Sequence, residues 1–170
     1  LTKIKKHAII LMINTRMKKI IYTTIILIIG LFLFVEFKDS IYPGRTMTGT
    51  YVKIGDTVID VEIADEMEER WQGLSNRESL GEESGMLFIF PKKQVQNFWM
   101  KDMNFPLDMI WIADDTIMKM DENLPPAGEH PDATYSSVHP VNYVLEVNAG
   151  FAAGHGIKAG DRIEYHLKDN

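Results

Sequence analysis

Two carboxylates occupy strand positions where apolar residues belong. Asp108 alternates with Ile110 and Ile112 within Leu107–Ala113, and Glu146 alternates with Val144 within Val141–Val147, so each shares a strand face with core-forming side chains. A carboxylate in such a place needs a partner, and an arginine offers two parallel N–H donors. Arg70 and Arg77 flank the end of a predicted helix, while Trp99 and Lys101 lie on the predicted strand adjacent to the one that carries Asp108. Two chemistries fit these residues. As a ligand-binding set, Arg70, Arg77, Trp99, Lys101, Asp108 and Glu146 would form a polar patch with an aromatic platform for a sugar or other polar ring. As catalytic groups, Asp108 and Glu146 would serve as acid and base of an envelope-associated hydrolase, a role that requires them to straddle a bond at roughly 5–9.5 Å. The plainer alternative is that Arg70 or Arg77 pairs with Asp108 or Glu146 simply to fix the fold, and Trp99 packs in a core.

Other chemistry finds little support. His130, His139, His155 and His166 lack the close pairing of metal-binding motifs, so no metal site and no cofactor is expected. Ser136-Ser137 lies too near His139 to build a triad, and no Gly-x-Ser-x-Gly elbow occurs. The chain has no cysteine, which removes disulfides, thiolate ligands and thiol nucleophiles. Gly156-Ile157-Lys158-Ala159-Gly160-Asp161-Arg162-Ile163 resembles a turn-to-strand segment of PDZ domains and other small barrels, and glycine turns account for it without a ligand. The balance favours a binding or interaction module over an enzyme.

The elements that must position these residues are mostly strands. Tyr51–Ile54 and Val58–Ile63 flank Gly55-Asp56, a hairpin signal. Asp65 and Glu68 have capping-box spacing, and Met67, Trp71 and Leu74 follow at helical intervals up to Gly73, which predicts one short amphipathic helix. Gly85 opens the apolar run Met86–Phe90, ended by Pro91, as a strand buried on both faces would be. Val95–Met103 and Leu107–Ala113 read as further strands, and Asp114-Asp115 turns the latter into Thr116–Met120. Asp121–Pro140 holds four prolines and no periodicity, a long loop of the functional or mobile kind. Val141–Val147 and Arg162–Leu167 complete the strands. The expected fold class is α+β, mainly antiparallel β: a small barrel-like sheet with one or two short helices.

Charge divides the chain. Six of its 18 Lys and Arg precede residue 20, and all 24 acidic residues lie at Glu36 or beyond, so the part after residue 35 carries a net −12. A domain this acidic repels nucleic acid, whose binding depends on neutralising phosphates with Lys and Arg. Ile20–Val35 is an uncharged run of 16 residues between Lys18-Lys19 and Glu36. We therefore expect residues 1–19 to be a basic cytoplasmic segment, with a start at Met17 as an alternative, and residues 20–37 to be a transmembrane anchor or signal segment, the anchor being partnered by the lipid bilayer. The sequence Glu36-Phe37-Lys38-Asp39-Ser40 has no pair of small residues for signal cleavage. Residues 38–49 then form a linker, and residues 50–168 a β-rich domain held outside the cytoplasm. There it would face envelope carbohydrate or membrane proteins.

Several stretches, in order, resemble one family. They are Ile63-Ala64-Asp65, Glu69-Arg70 with Gly73-Leu74 and Arg77, Gly85-Met86-Leu87-Phe88 with Phe90-Pro91, and Phe98-Trp99-Met100-Lys101. Pro106-Leu107-Asp108, the run Tyr143–Gly150, and Gly156-Ile157 with Gly160-Asp161 continue the series. Together they resemble the family known as domain of unknown function 192, over roughly Thr50–Leu167. The resemblance implies a compact barrel-like β domain, often exported or anchored, with no activity to carry over. Two departures stand out. Family members commonly place a small hydroxyl residue after Met-Lys-Asn, where this chain has Asp102-Met103-Asn104, and some have cysteines in the proline-rich loop, where it has none.

Overall fold

The computed structural model describes residues 49–168 and parts of the stretch between Met17 and Ile29. Most of the predicted anchor and linker lies outside the described residues. Among those described, no helix is long and apolar enough to cross a membrane. All elements below belong to one compact unit, Met47–Asn170.

β1 (Tyr51–Ile54) and β2 (Thr57–Ala64) form the expected hairpin, with Ile54 opposite Thr57 and Gly55 at φ 59° in the turn. The helix α1 (Met67–Gln72) follows. Its capping box is one residue later than the spacing predicted: Glu66 is the cap, and the Glu69 carboxylate accepts from the backbone N–H of both Asp65 and Glu66 at 3.1 Å. Those backbone bonds hold the Glu69 carboxyl below its ordinary range. β3 (Ser84–Gln94) runs through Pro91, and its pairing with β8 lapses after Ile89 and resumes at Gln94. Of the strand expected over Val95–Met103, only β4 (Asn97–Phe98) forms. β5 (Leu107–Ala113) and β6 (Thr116–Leu124) make a hairpin that reaches into the predicted loop. β7 (Tyr135–Ser136) lies within that loop as well, and β8 (Val141–Asn148), α2 (Phe151–Gly154) and β9 (Ile163–His166) end the domain.

The main sheet has the order β6-β5-β8-β3-β2-β1-β9, and β4 and β7 form a separate ribbon. All neighbours are antiparallel except β2 and β3, which are parallel. The sheet is therefore mixed. A parallel pair needs a crossover of a dozen or more residues, and α1 with the turns after it supplies one. The two edges meet at one end, where Thr116 bridges Arg162 and Ile163 N donates to Asp115 O at 2.9 Å. The result is a half-barrel.

Both faces of its centre are buried. Ile59, Leu87, Ile110, Leu145 and Val147 point into the curl and pack with Phe151 and Ile163. Met86, Phe88, Met109, Trp111 and Val144 point to the outer face, where Leu74, Met100 and Met103 cover them. Gly85 is required here: a Cβ on it would lie 2.7 Å from Glu146 O of the neighbouring strand.

Candidate functional site

On β8, Glu146 points to the outer face, with Met86 of β3 and Met109 of β5 as its register neighbours. It is 4% exposed and has no hydrogen-bond partner among the described residues. Burial pushes its carboxyl up to about 8, so at neutral pH it holds its proton.

Over Glu146 lies a pocket of about 250 Å³. One wall is α1, which contributes Met67, Arg70 and Trp71 but buries none of its own residues. Met67 and Trp71, two apolar positions of the predicted amphipathic helix, line the pocket and are 60% and 67% exposed. Gly73 ends the helix at φ 48°, a conformation that costs glycine little, and a Cβ there would press against the Phe88 ring at 3.2 Å. Leu74 is thereby brought down onto the outer core beside Phe88.

The opposite wall is the segment 96–99. Its backbone is clamped by Ser137, which is fully buried: Gln96 N donates to Ser137 Oγ and Ser137 N donates to Gln96 O, both at 3.0 Å. The residue after the clamp, Val138, sits at φ 62°, a strained conformation for a β-branched side chain costing about 1–3 kcal/mol. Gln96 is 7% exposed, and its Nε2 is buried without a partner. Phe98 packs edge-on against Phe88 and Trp111, and Trp99 meets Trp71 edge-on with ring centroids 5.5 Å apart.

Of the six residues predicted from sequence, the pocket collects Arg70, Trp99 and Glu146. Arg70 pairs with neither carboxylate; its Nη1 donates to the backbone carbonyls of Asp65 and Ile89, and its guanidinium stands over the Phe90 ring. Arg77 makes a bidentate pair with Glu62, at 2.5 and 2.8 Å, whose hydrogen bonds hold the Glu62 carboxyl below its ordinary range. Both ends of that pair are partly exposed, so it contributes no more than about 1 kcal/mol. Lys101 lies outside the pocket, 4.0 Å from Asp102.

Asp108 is opposite Val147 and points into the curl, away from Glu146. It is fully buried, and its carboxylate accepts from the backbone N–H groups of Asn123, Gly150 and Ala152 at 2.8–3.1 Å. It binds β6 and the start of α2 to β5. The two carboxylates thus face opposite sides of the sheet and flank no common cleft. Trp71, Gln96 and Phe98 belong to the pocket and were not singled out from sequence. A bulky aromatic on a helix that is otherwise charged was the signal at Trp71; Gln96 gave none.

The family model of DUF192, described as Uncharacterized ACR, matches residues 50–165. The chain belongs to this family. Among solved structures, this DUF192 domain is similar to a candidate transcription regulator from Sinorhizobium meliloti 1021 at 38% identity and a TM-score of 0.64, covering 68% of this chain and 92% of that one. A protein of unknown function from Novosphingobium aromaticivorans is similar at 35% identity and a TM-score of 0.61, with 67% and 83% covered. No curated protein matches the chain.

Proposed function

We propose that the DUF192 domain of this chain is a ligand-binding module whose site is the pocket over Glu146, and that residues 20–37 tether it to a membrane with the domain outside the cytoplasm. The observation that carries the binding reading is that two polar side chains line the pocket with no hydrogen-bond partner among the described residues: the Glu146 carboxyl, on a residue 4% exposed, and the buried Nε2 of Gln96. Native folds satisfy nearly all buried polar groups, and unmet ones inside an aromatic pocket are accounted for by a ligand that meets them. Exposed Trp71 and Trp99 at the mouth supply apolar contact area with little freedom to lose. The tether is supported by the uncharged run Ile20–Val35 between lysines and Glu36. The S. meliloti relative is described as a candidate transcription regulator, and nucleic-acid binding by this domain fits poorly with its acidic charge.

The binding reading is tested by ligand-observed NMR of the full chain against a fragment collection holding cationic, neutral and anionic compounds. Binders that weaken in both Glu146→Gln and Trp99→Ala are expected. Silence from every charge class, or binders indifferent to both substitutions, would refute it. Protease digestion of the domain on intact cells tests the tether; protection of the domain, with full-size protein in the soluble fraction, would end that part.

A further inference from the structure

Resting on the binding reading above, we infer that the pocket takes a small organic ammonium ion that also carries a hydrogen-bond-accepting oxygen. Three independent features agree on a cation. The unpartnered Glu146 carboxyl is surrounded by thioether and aromatic side chains, and the partner that stabilises a carboxylate most in such a place is a positive charge. The walls carry the rings of Phe88, Phe98, Trp71 and Trp99, and aromatic rings attract ammonium groups. The domain around them is strongly acidic, which raises the local concentration of cations.

Arg70 does not compete for Glu146. It is anchored to two carbonyls and the Phe90 ring and makes no ion pair with Glu146. The accepting oxygen answers the other unmet group, because Gln96 Nε2 is a donor. The pocket volume of about 250 Å³ suits a ligand of a few heavy atoms up to a single ring.

Choline is the discriminating probe, since its charge is permanent and its hydroxyl lies two carbons from nitrogen. Calorimetry with the full chain should show binding that strengthens about tenfold per pH unit up to about pH 8, as the carboxyl gives up its proton to pair with the cation. The uncharged isostere 3,3-dimethyl-1-butanol should bind at least tenfold more weakly. Glu146→Gln, which keeps the shape of the side chain, should lose at least tenfold for choline and lose the pH dependence. Tetramethylammonium, lacking the oxygen, should bind more weakly than choline in wild type and equally in Gln96→Leu. Phosphatidylcholine vesicles set beside free choline separate a lipid headgroup from a free amine as the source, and saturable binding of either supports the assignment. Equal binding of choline and its neutral isostere, or an unchanged affinity in Glu146→Gln, overturns it. If only neutral or anionic fragments bind, and do so through Glu146 and Trp99, the cation assignment falls while the binding module stands; if nothing binds, both fall.

Discussion

Replacing Glu146 by glutamine isolates the ionisable group at the base of the pocket and yields a signed prediction. In the unfolded chain this carboxyl loses its proton near 4.5, and in the folded domain it keeps it up to about 8. Between those values the unfolded state binds fewer protons, so the contribution of this residue to stability falls as pH rises and levels off above about 8. Each pH unit in that window removes about 1.4 kcal/mol, which amounts to about 3 kcal/mol by pH 7 and on the order of 5 kcal/mol once the window is crossed. Glutamine preserves the volume and cannot ionise. Denaturant unfolding of wild type and Glu146→Gln at about pH 5, 7 and 9 should give a stability difference near zero at the first, favouring the variant at the second and more so at the third. Taking the difference cancels every other titrating group. Parallel profiles for the two proteins would show that Glu146 is either solvated or paired, and the account of the pocket would fail with it.

Asp108→Ala strands three buried backbone N–H groups and should cost about 3 kcal/mol or more in chemical denaturation; a loss below about 1 kcal/mol would contradict the bracing role. Gln96→Leu removes an unpartnered buried donor and should raise stability by about 1 kcal/mol while weakening ligand binding, a trade checked by unfolding and calorimetry on the same sample. Gly85→Ala drives a Cβ against the Glu146 carbonyl and should destabilise the domain by about 2 kcal/mol, with a wild-type melting temperature as the contrary result.

Much of the sheet was legible because alternation is a local signal. The β1–β2 hairpin and the full extent of β5 follow from short-range patterning, whereas the opposite faces of Asp108 and Glu146 depend on the register between β5 and β8, which neither strand reveals alone. The parallel pairing of β2 and β3 was not legible, since nothing in either strand distinguishes a crossover partner from a hairpin partner. Val95–Met103 failed differently. Five of its nine residues are apolar, but the chain uses Met100 and Met103 to cap the outer core, both tied by backbone bonds to Ala127 of the proline-rich loop. Apolar content there reported burial, and burial does not require a strand. The short helix was legible from the helical spacing of Met67, Trp71 and Leu74, but the spacing did not reveal that Met67 and Trp71 border a pocket while Leu74 alone enters the core.

Asp108 and Glu146 sharpen the distinction between bracing and binding. They stand at adjacent steps of one strand pair, Asp108 opposite Val147 and Glu146 opposite Met109, and both are essentially inaccessible. One is met by three backbone donors from elements that would otherwise fray; the other meets none among the described residues. A buried carboxyl kept for stability alone gains from partners, and a fold that supplies three to one position is able to supply them. Leaving Glu146 bare imposes a cost that a leucine or methionine would avoid. That cost and the unmet amide of Gln96 both fall on residues that line the same aromatic pocket. Local inconsistencies of this kind concentrate where a fold gives up stability for recognition. Restoring stability at these positions should therefore weaken binding at the pocket, whereas substitutions that weaken the Asp108 brace should lower stability while leaving the affinity of the folded fraction unchanged.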